Sequence, residues 1–404
     1  MTAEQQYILT IASAALHNDV FTGPLPAHID WNEFVFNGAK QGVSSMLYFS
    51  MDEALLPKEK ADRWHESVLR EVGAGFHVTK AHATVCRLLE ENGVPAVVLK
   101  GYASAYYYPR SEYRSMGDVD FFVEEQHREK ARKILSANGY IEEPENRHHD
   151  WLYYKAGIPY ELHFGISGVP RGKEGEPFRQ ALQDIVRDRQ WVQSIMGRIA
   201  IPSDYHHGLV ILLHMASHLL AGGLGLRHLC DWAAFVNHFP DDESFRALFQ
   251  ASFEELKVWR FAQVLTAVCE RYLDLRSHDW VVDLDESSLE KLMEEFLKSG
   301  DYSANHVSRQ SDLMTSEGFS IRVGHKSGIG NLIAVLRNSV EYHWPKTQKN
   351  KVLLVFGMIY SAGRYCIRIL MGKRAKLNLI EMSKEAGERR KLFREFGLID
   401  GSGE

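Results

Sequence analysis

Two aspartates separated by one apolar residue are the strongest chemical signal in this sequence. Asp118-Val119-Asp120 follows Gly117 and leads into the apolar run Phe121–Val123. Side chains at positions i and i+2 of a β-strand point to the same face, so Asp118 and Asp120 are expected to project side by side. Carboxylates this close repel each other unless a cation lies between them, and their oxygens suit Mg²⁺. The alternative is a turn at a strand edge with two solvated aspartates.

A third acid follows in a second strand-like segment. Glu161 lies within Pro159–Phe164, where His163 alternates with it. Three carboxylates on neighbouring strands can hold Mg²⁺ for an in-line displacement at phosphorus. Glu161 can also help to deprotonate an acceptor hydroxyl, or it can be an ordinary exposed strand residue. His163 either orients this acid or packs.

The turn Lys100-Gly101 is the candidate phosphate contact. It follows the apolar run Pro95–Leu99 and precedes a helical segment. Backbone N–H groups at a helix start suit phosphate oxygens, and Lys100 adds a positive charge. An ordinary turn with a surface lysine is the alternative. The turn matches neither the Walker nor the G-x-G-x-x-G pattern, so the sequence does not support a P-loop or Rossmann site.

The elements around these residues predict an α+β fold. Short apolar segments predict strands, and the two segments around Ala156-Gly157 predict a hairpin. The predicted strands are Pro95–Leu99, Val119–Val123, Trp151–Tyr154, Pro159–Phe164 and two within Gln190–Ile201. Helical spacing predicts a long helix from Lys58 to Glu91 and another over Glu124–Ala137. The expected architecture is a small mixed β-sheet core flanked by N-terminal and C-terminal helical regions, with helix in the majority.

The chain divides by pattern into four expected regions. They are an N-terminal helical region (1–92), an α/β core (93–202), a C-terminal helical domain (203–345), and an apolar helix with a charged tail (346–404). Within the third region, residues 299–330 are polar and predict a long surface loop.

Composition limits the function classes. The 404 residues are 45% hydrophobic and 25% charged, which is typical of globular proteins, and the formal net charge is −6. No basic stripe is evident, so a long nucleic acid is not the expected partner. Four scattered cysteines without a C-x-x-C motif favour a reduced, cytoplasmic protein. The N-terminus lacks the basic start of a signal peptide, and no apolar run is long enough to span a membrane.

The apolar segment Val352–Gly363 has two interpretations. It is followed by Arg364 and Arg368, and lysines and arginines flank it on both sides. A buried amphipathic helix is one interpretation. Weak contact with a membrane surface through residues 346–376 is the other.

Several further residues keep two interpretations. Arg227 either pairs with Asp231 on a helix surface or faces phosphate in a cleft. His207, His214 and His218 share helical spacing and either bind zinc or pack in the interior or along a cleft. Four tyrosines either stack on a base or an acceptor, or pack in the core or an interface. They are Tyr106, Tyr107, Tyr108 and Tyr113.

A family resemblance joins these motifs. The run LKG…YYP…RSMGDVDFFV, the following helix that ends in Asn-Gly-Tyr, and the later YELHF resemble the uncharacterised nucleotidyltransferase family of the DNA-polymerase-β-like superfamily. The resemblance covers roughly residues 30–240. It implies a compact mixed sheet with helices. It also implies metal-dependent transfer of a nucleoside monophosphate from an NTP such as ATP, with Mg²⁺ or Mn²⁺ as cofactor.

The resemblance assigns residues by position. Asp118 and Asp120 match the metal-binding pair, and Glu161 matches the third acid. Lys100 and Gly101 match the turn that faces the triphosphate. The other residues that we assign to nucleotide binding are Ser104, Arg114, Gly117 and Arg227. The chain departs from the family pattern at Tyr102, where a small residue is usual, and in a longer spacing from Gly101 to Asp118.

The sequence therefore predicts a Mg²⁺-dependent nucleotidyltransferase. An acceptor would attack the α-phosphorus of an NTP in line. The alternative is a catalytically silent nucleotide-binding or protein-interaction module with the same fold. The acceptor stays open between a small molecule, a sugar, a peptide and a protein, and the sequence does not define the base or the oligomeric state.

Overall fold

A computed structural model of the chain describes residues 1–25, 29–143, 150–170, 172–221, 224–299 and 350–370, with isolated residues between 337 and 397. The chain forms two compact units. The first comprises Met1–Ala216 with Gly223–Asn305, and the second comprises Ser217–Gly222 with His306–Glu404. The expected boundaries at 92/93 and 202/203 lie inside the first unit and mark changes between helix and strand. The division into four regions stays a prediction.

The N-terminal region is helical, as the sequence predicts. Its helices are α1 (Ala3–Leu16), α2 (Trp31–Lys40), α3 (Ser44–Phe49) and α4 (Lys58–Glu91). The side chain of Asp30 accepts hydrogen bonds from the backbone N–H groups of Asn32 and Glu33 and so caps α2. Helix α4 ends at Asn92-Gly93, where Gly93 has a φ of +64°, a conformation that glycine adopts readily.

A mixed five-stranded sheet follows. Its strands are β1 (Ala96–Val98), β2 (Val119–Val123), β3 (Ile141–Glu142), β4 (Asp150–Lys155) and β5 (Ile158–His163). They are arranged in the order β1-β2-β5-β4-β3, and β2 and β5 are parallel whereas the other pairs are antiparallel. The four predicted sheet strands are confirmed. Strand β3 was not predicted, because two residues are too few to show a periodicity.

Alternating side chains explain which face of the sheet is buried. In β2, Val119, Phe121 and Val123 are fully buried, and in β5 Tyr160 and Leu162 lie in the same core cluster. Residues of α4 complete that cluster: Val78, Ala81, Val85 and Leu89. Because side chains alternate along a strand, the intervening residues of β2 and β5 point to the other face.

Further helices and a second, two-stranded sheet accompany the five-stranded sheet. Helices α5 (Tyr102–Ala105) and α6 (Arg128–Ala137) lie between the sheet strands, and α7 (Glu176–Leu182) follows them. The hairpin predicted around Ala156-Gly157 is confirmed as β4 and β5, and the two strands predicted within Gln190–Ile201 are confirmed as β6 (Gln190–Ser194) and β7 (Gly197–Ile201), with β7 against α4. The later helices are α8 (Asp204–Ala221), α9 (Leu226–Asn237), α10 (Asp242–Glu255), α11 (Trp259–Leu273) and α12 (Glu286–Ser299). The fold is therefore α+β, with helix in the majority.

The second unit bears on the two interpretations of the apolar segment. Helix α13 (Lys351–Leu370) is confirmed as a helix, but its apolar face is not buried: Phe356 and Ile359 are 68% and 65% exposed. None of the described helices combines the length and apolarity needed to cross a bilayer. The loop was predicted at 299–330; Ser299 is the last residue of α12, and residues 300–330 and most of the predicted charged tail lie outside the described residues.

Candidate functional site

Strands β2 and β5 bring two acids together on the face opposite the core. Their parallel register places Asp120 directly beside Glu161. His163 projects from the same face of β5, two residues after Glu161. Ligand atoms of Asp120, Glu161 and His163 all lie within 4.8 Å of one another. The sheet topology thus assembles from two strands a group of side chains that could hold a metal ion.

Two nitrogens already contact one oxygen of Asp120. His163 Nε2 lies 2.8 Å from Asp120 Oδ1, and Lys100 Nζ lies 3.0 Å from the same atom. His163 Nε2 is also 3.5 Å from Glu161 Oε2. Because a carboxylate only accepts hydrogen bonds, His163 donates through Nε2 to Asp120. Lys100 and His163 therefore hold the buried Asp120 side chain in place.

Asp118 lies at the edge of this group rather than within it. Strand β2 begins at Val119, so Asp118 precedes the strand and is exposed, whereas Asp120 is only 2% exposed. The two acids still interact, because the charge of Asp120 is the main cause of a raised pKa at Asp118. We call Asp118, Asp120 and Glu161, with Lys100 and His163, the acidic site.

The pKa values of the acidic site move in opposite directions. Burial alone would raise the pKa of Asp120, but the Lys100 ammonium and the hydrogen bond from His163 hold it well below its usual range. Burial and the charge of Asp120 raise the pKa of Glu161. Burial alone would lower the pKa of Lys100, but Asp120 and Asp118 raise it. The site thus has one firmly ionised carboxylate and two carboxylates whose ionised form is disfavoured.

The turn before α5 requires a glycine. Gly101 has a φ of +61°, and a Cβ there would lie 2.6 Å from Cε1 and 2.8 Å from Nε2 of His82. The backbone N–H of Leu99 donates to the carbonyl of Asp120 at 3.0 Å, which ties the turn to β2. Tyr102, where the family pattern has a small residue, is 7% exposed and packs in a core cluster with Val98. The turn therefore keeps Lys100 beside Asp120 while the Tyr102 ring lies in the interior.

Arg114 lies in a closed cluster. Its Nε and Nη2 donate to the two carboxylate oxygens of Asp231 at 2.7 and 2.9 Å, and the Tyr108 hydroxyl donates to Asp231 at 2.8 Å. All three residues are buried. We call these residues the Arg114 cluster. The spacing of Arg227 and Asp231 suggested a surface pair, but Asp231 is only 5% exposed and so does not lie on the surface.

The remaining nucleotide-binding candidates differ in position. Arg227 donates weakly to the carbonyl and the hydroxyl of Ser115, both at 3.4 Å, and its charge lowers the pKa of Asp118. Gly117 is exposed, and a Cβ there would meet no atom within 4 Å. Ser104 is buried within α5. Arg227 is thus near the acidic site, whereas Ser104 offers no exposed hydroxyl.

Aromatic and histidine candidates are largely packed. The Tyr107 ring stacks on His207 at 4.9 Å, and the Tyr107 hydroxyl donates to Asp204 at 2.7 Å. Tyr113 is also buried, whereas Tyr106 is 38% exposed. Among the described residues, the histidine that joins a potential metal-binding group is His163, and His207 is not part of such a group.

Two residues around the site have roles that the sequence did not assign. The alternation of His163 with Glu161 indicated that both side chains share one face of a strand. The hydrogen bond from His163 to Asp120, however, depends on the β2–β5 register. His82 on α4 is fully buried against Gly101, and burial lowers its pKa to about 4 although the charge of Asp120 opposes this. No local pattern marks His82, because its contact with Gly101 is purely tertiary.

Comparisons with known proteins concern the region of the chain that contains this site. A model of the family described as "Uncharacterised nucleotidyltransferase" matches residues 27–274, which contain the whole acidic site. No curated protein matches the chain. Among solved structures, the chain is similar to an antigenic nucleotidyltransferase-like protein from Paracoccidioides brasiliensis, with 13% identity over 50% of this chain and 94% of that chain and a TM-score of 0.30. Because its model matches more than half of the sequence, the chain belongs to the uncharacterised nucleotidyltransferase family.

Proposed function

We propose that this protein transfers a nucleoside monophosphate from an NTP to an acceptor, with Mg²⁺ or Mn²⁺ held by Asp118, Asp120 and Glu161. The observation that carries the proposal is the register of β2 and β5, which sets Asp120 beside Glu161 on the face opposite the core. Family membership supports the reaction class. The donor, the metal and the individual roles below are our proposals.

The residues of the acidic site fit a divalent cation. Carboxylate oxygens are the ligands that Mg²⁺ prefers. The charge of Asp120, with burial, raises the pKa of Asp118, and burial, with the charge of Asp120, raises the pKa of Glu161. Added positive charge would therefore stabilise both in their ionised form. When bound, the metal would polarise the α-phosphate and stabilise the pyrophosphate leaving group.

Each side chain has a distinct role in this proposal. Lys100 stays cationic beside Asp120 and attracts the triphosphate, and the positive φ of Gly101 keeps the turn that holds Lys100 there. Glu161, whose pKa is raised, is suited to accept the proton of the acceptor hydroxyl. Between the two arginines, Arg227 is the better candidate for a phosphate contact, because Asp231 already binds the Nε–Nη2 edge of the buried Arg114 guanidinium and Arg114 Nη1 donates to the Ser115 carbonyl. Arg114 would then position the segment that leads to Asp118, and Ser104 and Gly117 would shape the pocket.

The test is pyrophosphate release from each of the four NTPs with a panel of small-molecule, sugar, peptide and protein acceptors. We expect release that requires Mg²⁺ or Mn²⁺ and that falls by about a thousandfold in Asp120→Ala. Asp283→Ala is the matched control, since Asp283 is an exposed aspartate in the same unit. Activity that survives Asp120→Ala, or that falls equally in Asp283→Ala, would disprove the mechanism.

One observation favours a second function, a nucleotide-binding module without turnover. Asp120 Oδ1 is already bonded to Lys100 and His163, so the site can be neutralised in part without a metal. Calorimetric titration with NTP separates the two proposals. Mg²⁺-dependent binding without pyrophosphate release across the acceptor panel would favour the silent module.

A further inference from the structure

Helix α13 presents a continuous apolar face to solvent. The side chains of Val352, Val355, Phe356, Ile359 and Tyr360 are 66%, 55%, 68%, 65% and 56% exposed. Their spacing places all five on one side of the helix. A face of this size on a soluble helix is normally covered, because exposed apolar surface is unfavourable in water.

The other side of α13 is the one that packs within its own unit. Gly357 is buried, and a Cβ at this position would lie 2.5 Å from Val340 Cγ1 and 3.0 Å from the Trp344 ring. Trp344 also contacts Tyr360, with ring centroids 5.5 Å apart. The helix therefore packs against Val340 and Trp344 through the side that carries Gly357, and its apolar face stays exposed to solvent.

The sequence around this face is rich in basic residues. From His343 to Ile380 the chain contains no aspartate or glutamate, although its overall net charge is −6. Eight basic residues fall in the same segment: Lys346, Lys349, Lys351, Arg364, Arg368, Lys373, Arg374 and Lys376. At 3.6 residues per turn, the exposed Lys351 and Arg364 lie on opposite edges of the apolar face. The helix therefore has an apolar centre and basic edges.

We propose that α13 binds in the interface of an anionic lipid membrane, with its apolar face among the acyl chains and its basic edges at the headgroups. This arrangement is typical of helices that lie on a membrane rather than cross it. Trp344 and Tyr360 lie at the edge of the face, and aromatic residues of these types favour the interfacial region. A second copy of the chain is a poorer occupant, because it would bring the same positive charge to the contact. The inference is independent of the nucleotidyl-transfer site.

The experiment is co-flotation of the full-length protein with vesicles of phosphatidylcholine, with and without phosphatidylglycerol. We expect binding to the anionic vesicles that weakens as salt is raised, since screening reduces the attraction of Lys and Arg to the surface. The double variant Phe356→Ser/Ile359→Ser should reduce the partition coefficient by about tenfold or more, because two apolar side chains no longer enter the bilayer.

Two further variants make the experiment specific. Phe36→Ser/Ile195→Ser removes the same residue types at positions that are 66% and 74% exposed elsewhere in the chain, and it should leave vesicle binding unchanged. Lys351→Gln/Arg364→Gln keeps the apolar face and should weaken binding to anionic vesicles only. Circular dichroism of each variant establishes that the helical content is retained.

Three results would overturn the proposal. The first is no binding of the wild-type protein to anionic vesicles. The second is an equal loss of binding in Phe356→Ser/Ile359→Ser and Phe36→Ser/Ile195→Ser. The third is self-association, detected by light scattering, that Phe356→Ser/Ile359→Ser abolishes while vesicles have no effect. In that case a second copy of the chain covers the face.

Discussion

The acidic site and the Arg114 cluster both hold carboxylates beside a cation, but they balance charge differently. In the Arg114 cluster, Asp231 accepts three hydrogen bonds, two from one guanidinium and one from a tyrosine, and every partner is buried. In the acidic site, three carboxylates lie near Lys100 and His163, with the charge of Arg227 also acting on Asp118, and Asp118 and Glu161 still have raised pKa values.

This difference separates a structural group from a candidate for ligand binding. When a buried carboxylate has all of its partners, removal of any one of them destabilises the fold, because the remaining charge is left uncompensated. A site with surplus negative charge is unfavourable for the isolated fold and becomes favourable when a cation binds. Substitutions should therefore affect stability at the Arg114 cluster and activity at the acidic site.

The largest effect on stability is expected at Asp231. Asp231→Asn leaves the buried Arg114 guanidinium without its countercharge and should lower the free energy of unfolding by about 3–5 kcal/mol. Urea denaturation measures this loss. Asp283→Asn, at an exposed position, should change the free energy of unfolding by about 0.5 kcal/mol or less. A loss below about 1 kcal/mol at Asp231 would mean that the cluster is not a structural group.

The opposite result is expected at Glu161. Glu161→Gln should lower kcat/KM by about a hundredfold, because the amide cannot accept a proton and is a weaker metal ligand. The free energy of unfolding should stay the same or rise, since the raised pKa of Glu161 shows that its negative charge is unfavourable in the folded protein. Kinetic and urea measurements on one preparation separate the two effects. A clear loss of stability with unchanged kcat/KM would reverse the assignment.

The third prediction concerns the backbone of the turn beside the acidic site. Gly101→Ala should cost about 2 kcal/mol of stability, because the residue has a positive φ and its Cβ would overlap His82. Gly117→Ala is the matched control: a Cβ there meets no atom within 4 Å, so the change should be about 0.5 kcal/mol or less. Similar unfolding free energies for the two variants would argue that the turn is not constrained.

The sequence predicted the elements of this site better than their contacts. Alternation and the Gly-Asp-Val-Asp motif are local, so the strands and the acids Asp120 and Glu161 could be identified from residue types and spacing. Their direct pairing depends on β2 and β5 lying side by side in parallel, although helix α6 and strands β3 and β4 come between them in the chain. A single sequence carries no local signal for that register.

The arginines show the same limit. Helical spacing suggested that Asp231 pairs with Arg227 on a surface, because i,i+4 neighbours are visible in sequence. In the structure Asp231 is buried and bonded to Arg114, which is far away in the chain. Burial favours a planar, bidentate partner, and only the tertiary fold determines which arginine supplies it. The exposure of the apolar face of α13 was likewise undetermined by its pattern, which is compatible with burial or with a membrane surface.

The smallest effect is expected for a histidine near the Arg114 cluster. It tests whether added positive charge is unfavourable in this region, in contrast to the acidic site. His207 stacks on Tyr107, and burial together with the nearby Arg114 charge lowers its pKa to about 3. An unfolded histidine has a pKa of about 6.5. Between pH 6.5 and pH 3 the unfolded chain therefore binds more protons than the folded chain. As the pH is lowered through this range, the free energy of unfolding decreases by up to about 1.4 kcal/mol per pH unit.

His207→Phe keeps an aromatic ring against Tyr107 but cannot take up a proton. Between pH 6.5 and pH 5, the variant should therefore lose about 1.5 kcal/mol less of its unfolding free energy than the wild-type protein does. Urea denaturation at the two pH values measures the difference, and His17→Gln, at an exposed histidine, should leave it unchanged. An unaltered pH dependence in His207→Phe would show that this region accepts a proton in the folded state. The contrast with the acidic site would then rest on hydrogen bonding and not on charge.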